Sequence, residues 1–264
     1  MPGPDRWRSW AAPWPTALTA QRPAPDGPPV VTGQTLPPLR STNIWPARGG
    51  LWCYDQWGRH GRPLILIPAV LFGRASWWPA AADLRPHATV IAVDLPGHGD
   101  SAGRDRYEAD DLVDDLAELI AHLDLRLAPV VVAHGCSAGL AARFAHRYAV
   151  HAVVTVDPCL RAPADPARYL REMQPEAVPE QVRDLAAPAA DPDLLAGYRA
   201  CTASWPAGTP AESRHARLAV HSRPPAAEVR SALSGWRHEV YGVPGRFAHL
   251  ADPDRFAPDV RDLL

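Results

Sequence analysis

The residues in this chain best suited to nucleophilic chemistry lie in Val130-Val131-Val132-Ala133-His134-Gly135-Cys136-Ser137-Ala138-Gly139. The pattern G-x-S-x-G runs from Gly135 to Gly139 around Ser137. A serine hydroxyl is a weak nucleophile in water. It becomes reactive when a turn presents it beside a proton acceptor and backbone amides face the developing oxyanion. A continuous apolar run precedes Ser137 and a helix-forming run follows it. That is the strand, tight turn and helix of a nucleophile elbow. The bend is sharp, so its flanking residues must be small, and Gly135, Ala138 and Gly139 meet that need. The helix start beneath Ser137 would favour negative charge. The competing reading is a Gly-rich helix start with no chemistry. Cys136, in the x position, reads as packing.

The positioning elements are legible from periodicity. Short apolar runs with the mark of strands buried on both faces recur along the chain. They are Pro63–Pro68, Thr89–Asp94, Pro129–Ala133, Ala152–Asp157, Arg217–Ser222 and His238–Gly242, with an alternating run at Leu51–Gly58. Helical stretches separate most of them: Glu108–Leu123, Ala138–Tyr148, Pro225–Leu233 and Pro253–Leu264. This alternation predicts an α/β fold, a mostly parallel central sheet flanked by helices on both faces.

One connection is long. Cys159–Ala216 is rich in Ala, Pro and Leu, and three short helices fit it, at Pro166–Met173, Pro179–Ala187 and Pro192–Ala203. An insertion of this size at the carboxyl ends of the strands reads as a helical cap over a ligand site. Residues 1–46 hold eleven of the 31 prolines and no hydrophobic period. They read as an irregular proline-rich arm, and residues 47–264 as the domain. Trp7, Trp10, Trp14 and Trp45 imply that part of the arm docks, because exposed indoles are costly in water.

Composition excludes several classes. The chain has 264 residues, 47% hydrophobic and 21% charged, with a net charge of −2. It offers no electrostatic footprint for nucleic acid or an anionic membrane. The longest apolar run, Pro63–Phe72, is too short to span a bilayer. All 27 basic residues are arginine, so a catalytic lysine is excluded. Cys53, Cys136, Cys159 and Cys201 show no metal-ligand spacing, so neither a metal nor a cofactor is expected. The N-terminal residues lack an apolar signal region, and the expected setting is cytoplasmic with reduced thiols. The expected partner is a small molecule, and the oligomeric state is open.

The elbow segment, Val90–Ala102 and Gly245–Phe256 together resemble the α/β-hydrolase fold superfamily over about Leu51–Leu264. In Val90–Ala102, Asp94, Pro96, Gly97, Gly99 and Ser101 match the family's D-x-x-G-x-G-x-S segment, a structural loop that also contains His98. The resemblance implies a triad and an oxyanion hole, and three positions depart from it. The oxyanion loop reads Pro68-Ala69-Val70 in place of His-Gly; by similarity the Val70 and Ala138 amides would form the hole. No carboxylate ends the next-to-last strand. Asp157 matches an alternative acid position, and an Asp closing a buried strand could orient an imidazole; it could equally cap the turn before Pro158. The last connection reads Gly245-Arg246-Phe247-Ala248-His249, with Arg246 where the family places its histidine. An arginine is no general base near neutral pH. The base would then be His249, with His221, His134 and His151 as other imidazoles near strand ends. Trp77 and Trp78 could line an acyl pocket or pack the core.

The resulting expectation is a serine hydrolase acting on an ester, thioester or lactone of a small, largely apolar substrate. Ser137 would be the nucleophile, His249 the base and Asp157 the acid. The alternative is a binding protein, or a cofactor-free lyase or cyclase, on the same fold with a modified triad.

Overall fold

The computed structural model describes residues 40–161, 163–199 and 215–264. Eight strands form one sheet in the order β1-β2-β4-β3-β5-β6-β7-β8. They are β1 Ser41–Ala47, β2 Gly50–Trp57, β3 Arg62–Ile67, β4 Ala88–Val93, β5 Val130–His134, β6 Ala152–Val156, β7 Ala216–His221 and β8 Arg237–Val240. β1 with β2 and β2 with β4 are antiparallel, and every other pair is parallel. All six apolar runs and the alternating run are strands, as their periodicity predicts.

The continuous runs become parallel strands because both faces of the sheet are covered. Leu64, Ile65, Leu66 and Ile67 of β3 are almost wholly buried, and so is all of β5. Each such aliphatic side chain contributes about 1.5–3 kcal/mol of burial. Alternate residues feed two cores. Ile65, Ile67, Val131 and Ala133 pack on one face, and Leu64, Leu66, Val130 and Val132 on the other.

Helices α1 Trp78–Leu84, α2 Ala109–His122 and α3 Ala138–Arg147 flank the sheet. α4 Pro166–Met173 and α5 Leu194–Gly197 lie in the insertion, followed by α6 Ala227–Ala232, α7 Ala248–Ala251 and α8 Pro253–Arg261. In α2, Leu112, Leu116 and Leu119 face the core while Asp110 and Asp111 occupy the first turn, where the helix dipole favours acids. α4 starts where the Asp165 carboxylate accepts from the Ala167 and Arg168 amides, both at 3.1 Å. It ends at Gln174, whose φ is +52°.

The insertion departs from its three expected helices. The second is a 3-10 segment, Glu180–Ala186, and the third is α5, with Pro192–Ala203 running outside the described residues from position 200. Short proline-punctuated stretches favour such tight turns over regular helix. The insertion is sewn to the domain: the Ala189 amide donates to the Leu71 carbonyl at 2.8 Å, and the Gly99 amide to the Ala189 carbonyl at 2.7 Å.

The proline-rich arm is shorter than its composition suggests. Residues 41–46 are regular rather than irregular: they belong to β1, which pairs along its whole length with β2. The alternation of exposed Ile44 with buried Trp45 suits an edge strand, and Pro46 is tolerated there because an edge strand leaves amides unpaired. Trp45 packs into the core, so that indole docks as expected. Residues 1–39, with Trp7, Trp10 and Trp14, lie outside the described residues.

Candidate functional site

After β3 the chain moves to β4 on one side, and later to β5 on the other. The order therefore reverses between β3 and β5, and the carboxyl ends of these strands form the crevice where open α/β sheets bind ligands. The turn Pro68–Val70 after β3 meets the bend after β5 at that point.

That bend decides the chemistry. β5 ends at His134, and Gly135 follows with φ +58°. Ser137 comes two residues later with φ −69° and ψ −8°, already helical. In a strand-to-helix elbow, the strained residue is the one whose side chain stands above the sheet. Here that residue is Gly135, which has no side chain to present. A Cβ built on it would lie 3.1 Å from Ala69 Cβ, 3.5 Å from the Tyr169 hydroxyl and 3.7 Å from Met173 Cε. Tyr169 and Met173 of α4 thus close over the apex.

Ser137 does not occupy the place expected of it. Its hydroxyl is buried in the first turn leading into α3 and has no hydrogen-bond partner among the described residues. The sequence carried a usable signal for this. Small residues flank Gly135 two positions away on each side, Ala133 and Ser137, as well as Gly135 and Gly139 flank Ser137. The end of β5 at His134 selects the first register.

His249 is not brought to Ser137 either. It is fully buried, and neither ring nitrogen makes a well-formed hydrogen bond. Its ring lies 4.1 Å from that of Trp77 at 31°, and 4.8 Å from that of His134. Burial, with the neighbouring His134, drives its pKa well below the usual histidine value. The ring is a neutral core group sealed by Trp77 and Phe256. Trp77 is therefore core, and the Trp78 indole donates to Asp55 at 2.7 Å rather than lining an acyl pocket.

Asp157 closes β6 with φ +44°. Its carboxylate accepts from the Ser222 amide at 2.7 Å, the Ser222 hydroxyl at 2.7 Å and the Ala248 amide at 3.2 Å. No imidazole is among these partners. The residue ties the ends of β6 and β7 to the start of α7. Burial raises its pKa, against the pull of these hydrogen bonds and of Arg246.

The oxyanion pair is also altered. The Ala138 amide donates to the Gly135 carbonyl, so it is unavailable to a substrate oxygen. Val70 lies fully buried in the turn beside Ala69, whose Cβ is the nearest neighbour of the apex position.

Among the other imidazoles, His134 donates through Nε2 to the Arg246 carbonyl at 2.6 Å. His221 stacks on His238 at 9°, with 3.0 Å between Nε2 and the partner Nδ1. His151 is exposed at the start of β6. His98 is a structural peg: Nε2 accepts the Leu71 amide at 2.8 Å and Nδ1 donates to the Pro96 carbonyl at 3.1 Å. Leu71 has φ +72°, and this bond holds it there. His98→Ala leaves the buried Leu71 amide without its acceptor, while the Pro96 carbonyl keeps the Tyr198 hydroxyl at 2.7 Å; the unfolding free energy is expected to fall by about 1–3 kcal/mol, measured by urea denaturation.

The β4 loop is structural, as its resemblance implies. Asp94 accepts the Arg74 amide at 2.7 Å and the Asp100 amide at 3.1 Å, and its carboxylate is ion-paired with the Arg74 side chain. A Cβ at Gly99 would fall 2.2 Å from Asp94 Oδ2, so only glycine fits. Cys53, Asp94 and Asp100 approach one another closely enough for a cation, but the Arg74 guanidinium, paired with both carboxylates, holds that place.

What the strand ends do present is a cavity of about 510 Å³. Asp157, Cys159, His221, Arg223 and Arg246 are among its walls. Arg246 is half-buried, and its guanidinium forms no ion pair among the described residues. Its charge opposes the burial-driven rise in the Asp157 pKa and adds to the fall that burial and His238 impose on His221. In the sequence Arg246 stands out only as a departure from the family pattern; in the cavity it joins Arg161, Arg223, Asp157 and Glu228.

Residues 62–251 match the model of the α/β hydrolase fold family, and the chain belongs to that family. It is 31% identical over 133 residues to a non-heme chloroperoxidase of Kitasatospora aureofaciens, covering 50% of this chain and 47% of that protein. The chain thus spans about half the length of that relative. Among solved structures, a thermophilic esterase of Thermogutta terrifontis superimposes with a TM-score of 0.68 at 18% identity, over 84% of this chain and 97% of the other. The Cif epoxide hydrolase of Acinetobacter nosocomialis does so with a TM-score of 0.67 at 15% identity, over 87% and 90%. The three bear names for three different reactions, so the likeness carries the fold and leaves the reaction to the site. No helix of the described residues is long and apolar enough to cross a membrane.

Proposed function

We propose that this protein uses the α/β-hydrolase fold to bind a small carboxylate-bearing molecule at the carboxyl ends of the strands, without a serine acyl-enzyme. The observation that carries the reading is the bend after β5. Gly135, with φ +58°, stands where a nucleophile would, and among the described residues neither the Ser137 hydroxyl nor either His249 nitrogen makes a well-formed hydrogen bond. Three arginines, Arg161, Arg223 and Arg246, outnumber Asp157 and Glu228 in the cavity wall and set its charge preference. The Arg246 guanidinium is half-buried with no ion pair among the described residues; such a group attracts a planar anion, and carboxylate matches its fork of donors.

The competing reading remains ester, thioester or lactone hydrolysis by Ser137, His249 and Asp157, with Val70 and Ala138 as the oxyanion hole. It would require Ser137 to leave the helix start and His249 to leave the Trp77 stack. Two measurements separate the readings. A fluorophosphonate probe is expected to leave Ser137 unlabelled, and short p-nitrophenyl esters to show no turnover above the Ser137→Ala background. A fluorophosphonate adduct on Ser137 would overturn the proposal. In thermal-shift titrations, succinate, malate or benzoate is expected to raise Tm in the wild type, and Arg246→Gln to abolish the rise. Loss of the charged hydrogen bond should weaken binding by about tenfold or more.

A further inference from the structure

The cavity wall holds an imidazole that the anion-binding reading leaves unused, His221 at the end of β7. Parallel pairing of β7 with β8 sets Ala219 opposite His238 and brings the two histidines together. Their ring planes lie within 9° of each other with centroids 5.3 Å apart, and 3.0 Å separates His221 Nε2 from His238 Nδ1. On its other side, His238 Nε2 lies 3.2 Å from the Leu233 carbonyl. A carbonyl only accepts, so His238 Nε2 carries a proton, and in the uncharged pair its Nδ1 holds a lone pair. His221 Nε2 must then donate, which leaves the His221 lone pair on Nδ1. Burial, His238 and Arg230 hold the His221 pKa down to about 4, so this ring stays neutral. Its Nδ1 has no hydrogen-bond partner among the described residues and, unlike the nitrogens of His249, is not sealed from solvent. The Leu233 carbonyl thus fixes, through two rings, a bare acceptor at the cavity wall.

We propose that His221 Nδ1 sets the specificity of this cavity and that the ligand is a hydroxy acid, its carboxylate on Arg246 and its hydroxyl donating to Nδ1. The inference rests on the anion-binding reading and narrows it to one ligand class. An acceptor that carries no proton requires one from the ligand. The donor must also be uncharged. Arg230 and Arg246 both act on the ring, and Arg161 and Arg223 stand in the same wall, so an ammonium group there meets like charge. A hydroxyl meets both demands. A ligand without it leaves Nδ1 unpaired once water is displaced, and that loss supplies most of the discrimination. His238 is a positioning residue: it acts by holding the His221 proton on Nε2.

The test uses pairs of acids that differ by one hydroxyl: glycolate against acetate, lactate against propionate, and malate against succinate. Aspartate serves as the ammonium analogue of malate, and each chiral acid is taken as its tighter-binding enantiomer. Kd values are measured on the full chain at pH 7.5 by isothermal titration calorimetry. In at least one pair the hydroxy acid is expected to bind about tenfold more tightly, and aspartate more weakly than malate. His221→Phe is expected to bring that preference below about threefold. His238→Phe, which frees the His221 tautomer, is expected to reduce it, and His238→Gln, whose carboxamide oxygen accepts from Nε2, to restore part of it. A second readout needs no variant. Long-range proton–nitrogen correlation on the wild type with 15N-labelled histidine is expected to show the His221 proton on Nε2. A preference below about threefold in every pair, a preference that survives in His221→Phe, aspartate bound more tightly than malate, or a proton on Nδ1 each overturns the inference. Carboxylates that bind without the preference remove this inference alone. If no carboxylate of the set binds, the anion-binding reading falls and this inference falls with it.

Discussion

Asp157→Ala is expected to lower the unfolding free energy by about 3–5 kcal/mol, read from urea denaturation at pH 7.5. The carboxylate satisfies three buried donors: the Ser222 amide, the Ser222 hydroxyl and the Ala248 amide. Alanine leaves all three without an acceptor in the core. Asp157→Asn keeps one oxygen but turns an amide NH2 toward a donor, so it should recover only part of the loss. An acid whose task is to orient an imidazole behaves differently. Its removal would leave stability nearly intact and strip activity. A change below about 1 kcal/mol in Asp157→Ala would therefore count against the clamp and return the residue to a catalytic role.

Acidification should destabilise the protein well above the usual carboxylate range. Burial holds His98 and His134 down to about 4, and His221, packed against His238 near Arg246, to about 4 as well. In the unfolded chain these rings titrate near 6.5. As pH falls through about 6.5, the unfolded state takes up protons that the native state refuses, so stability declines between about pH 6.5 and 4. For a fully buried ring the gap corresponds to about 3 kcal/mol, so His98 and His134 together are worth about 6 kcal/mol at most. His98 faces the Tyr198 ring, and His134 faces Trp77, Phe247 and His249 with Arg246 close by, and no carboxylate is among these contacts to favour the charged form. Buried Asp94 and Asp157, whose pKa values are raised, offset part of the decline at its acid end. Urea midpoints measured at pH 7.5, 6.0 and 5.0 should fall in sequence. A midpoint unchanged down to pH 5.0 would mean that these rings are not held neutral.

The strands, their parallel sheet and the family were all readable in the chain. Apolar runs buried on both faces, such as Pro63–Pro68 and Ala152–Asp157, depend on hydrophobic pattern alone, and burial is indifferent to the register of one or two residues. The structural loop from Asp94 to Ser101 was readable for a related reason, since Gly99 leaves no room for any side chain against Asp94. Arg246 was visible as a departure because its position is adjacent to other matched residues. The strand Ser41–Ala47 was missed because Pro46 and a proline-rich lead-in resemble an irregular segment, while its stability comes from pairing with β2.

The site needed three dimensions. Whether Ser137 or Gly135 stands at the apex depends on where β5 ends, a difference of two residues that pattern reading does not resolve. The sealing of His249 against Trp77 depends on packing between α7 and the segment before α1, which are far apart in sequence. The approach of His221 to His238 depends on parallel pairing of β7 with β8. Composition and periodicity determine which surfaces must be buried, and so the fold. Chemistry depends on the direction of single side chains at strand ends, and only the assembled sheet sets those directions.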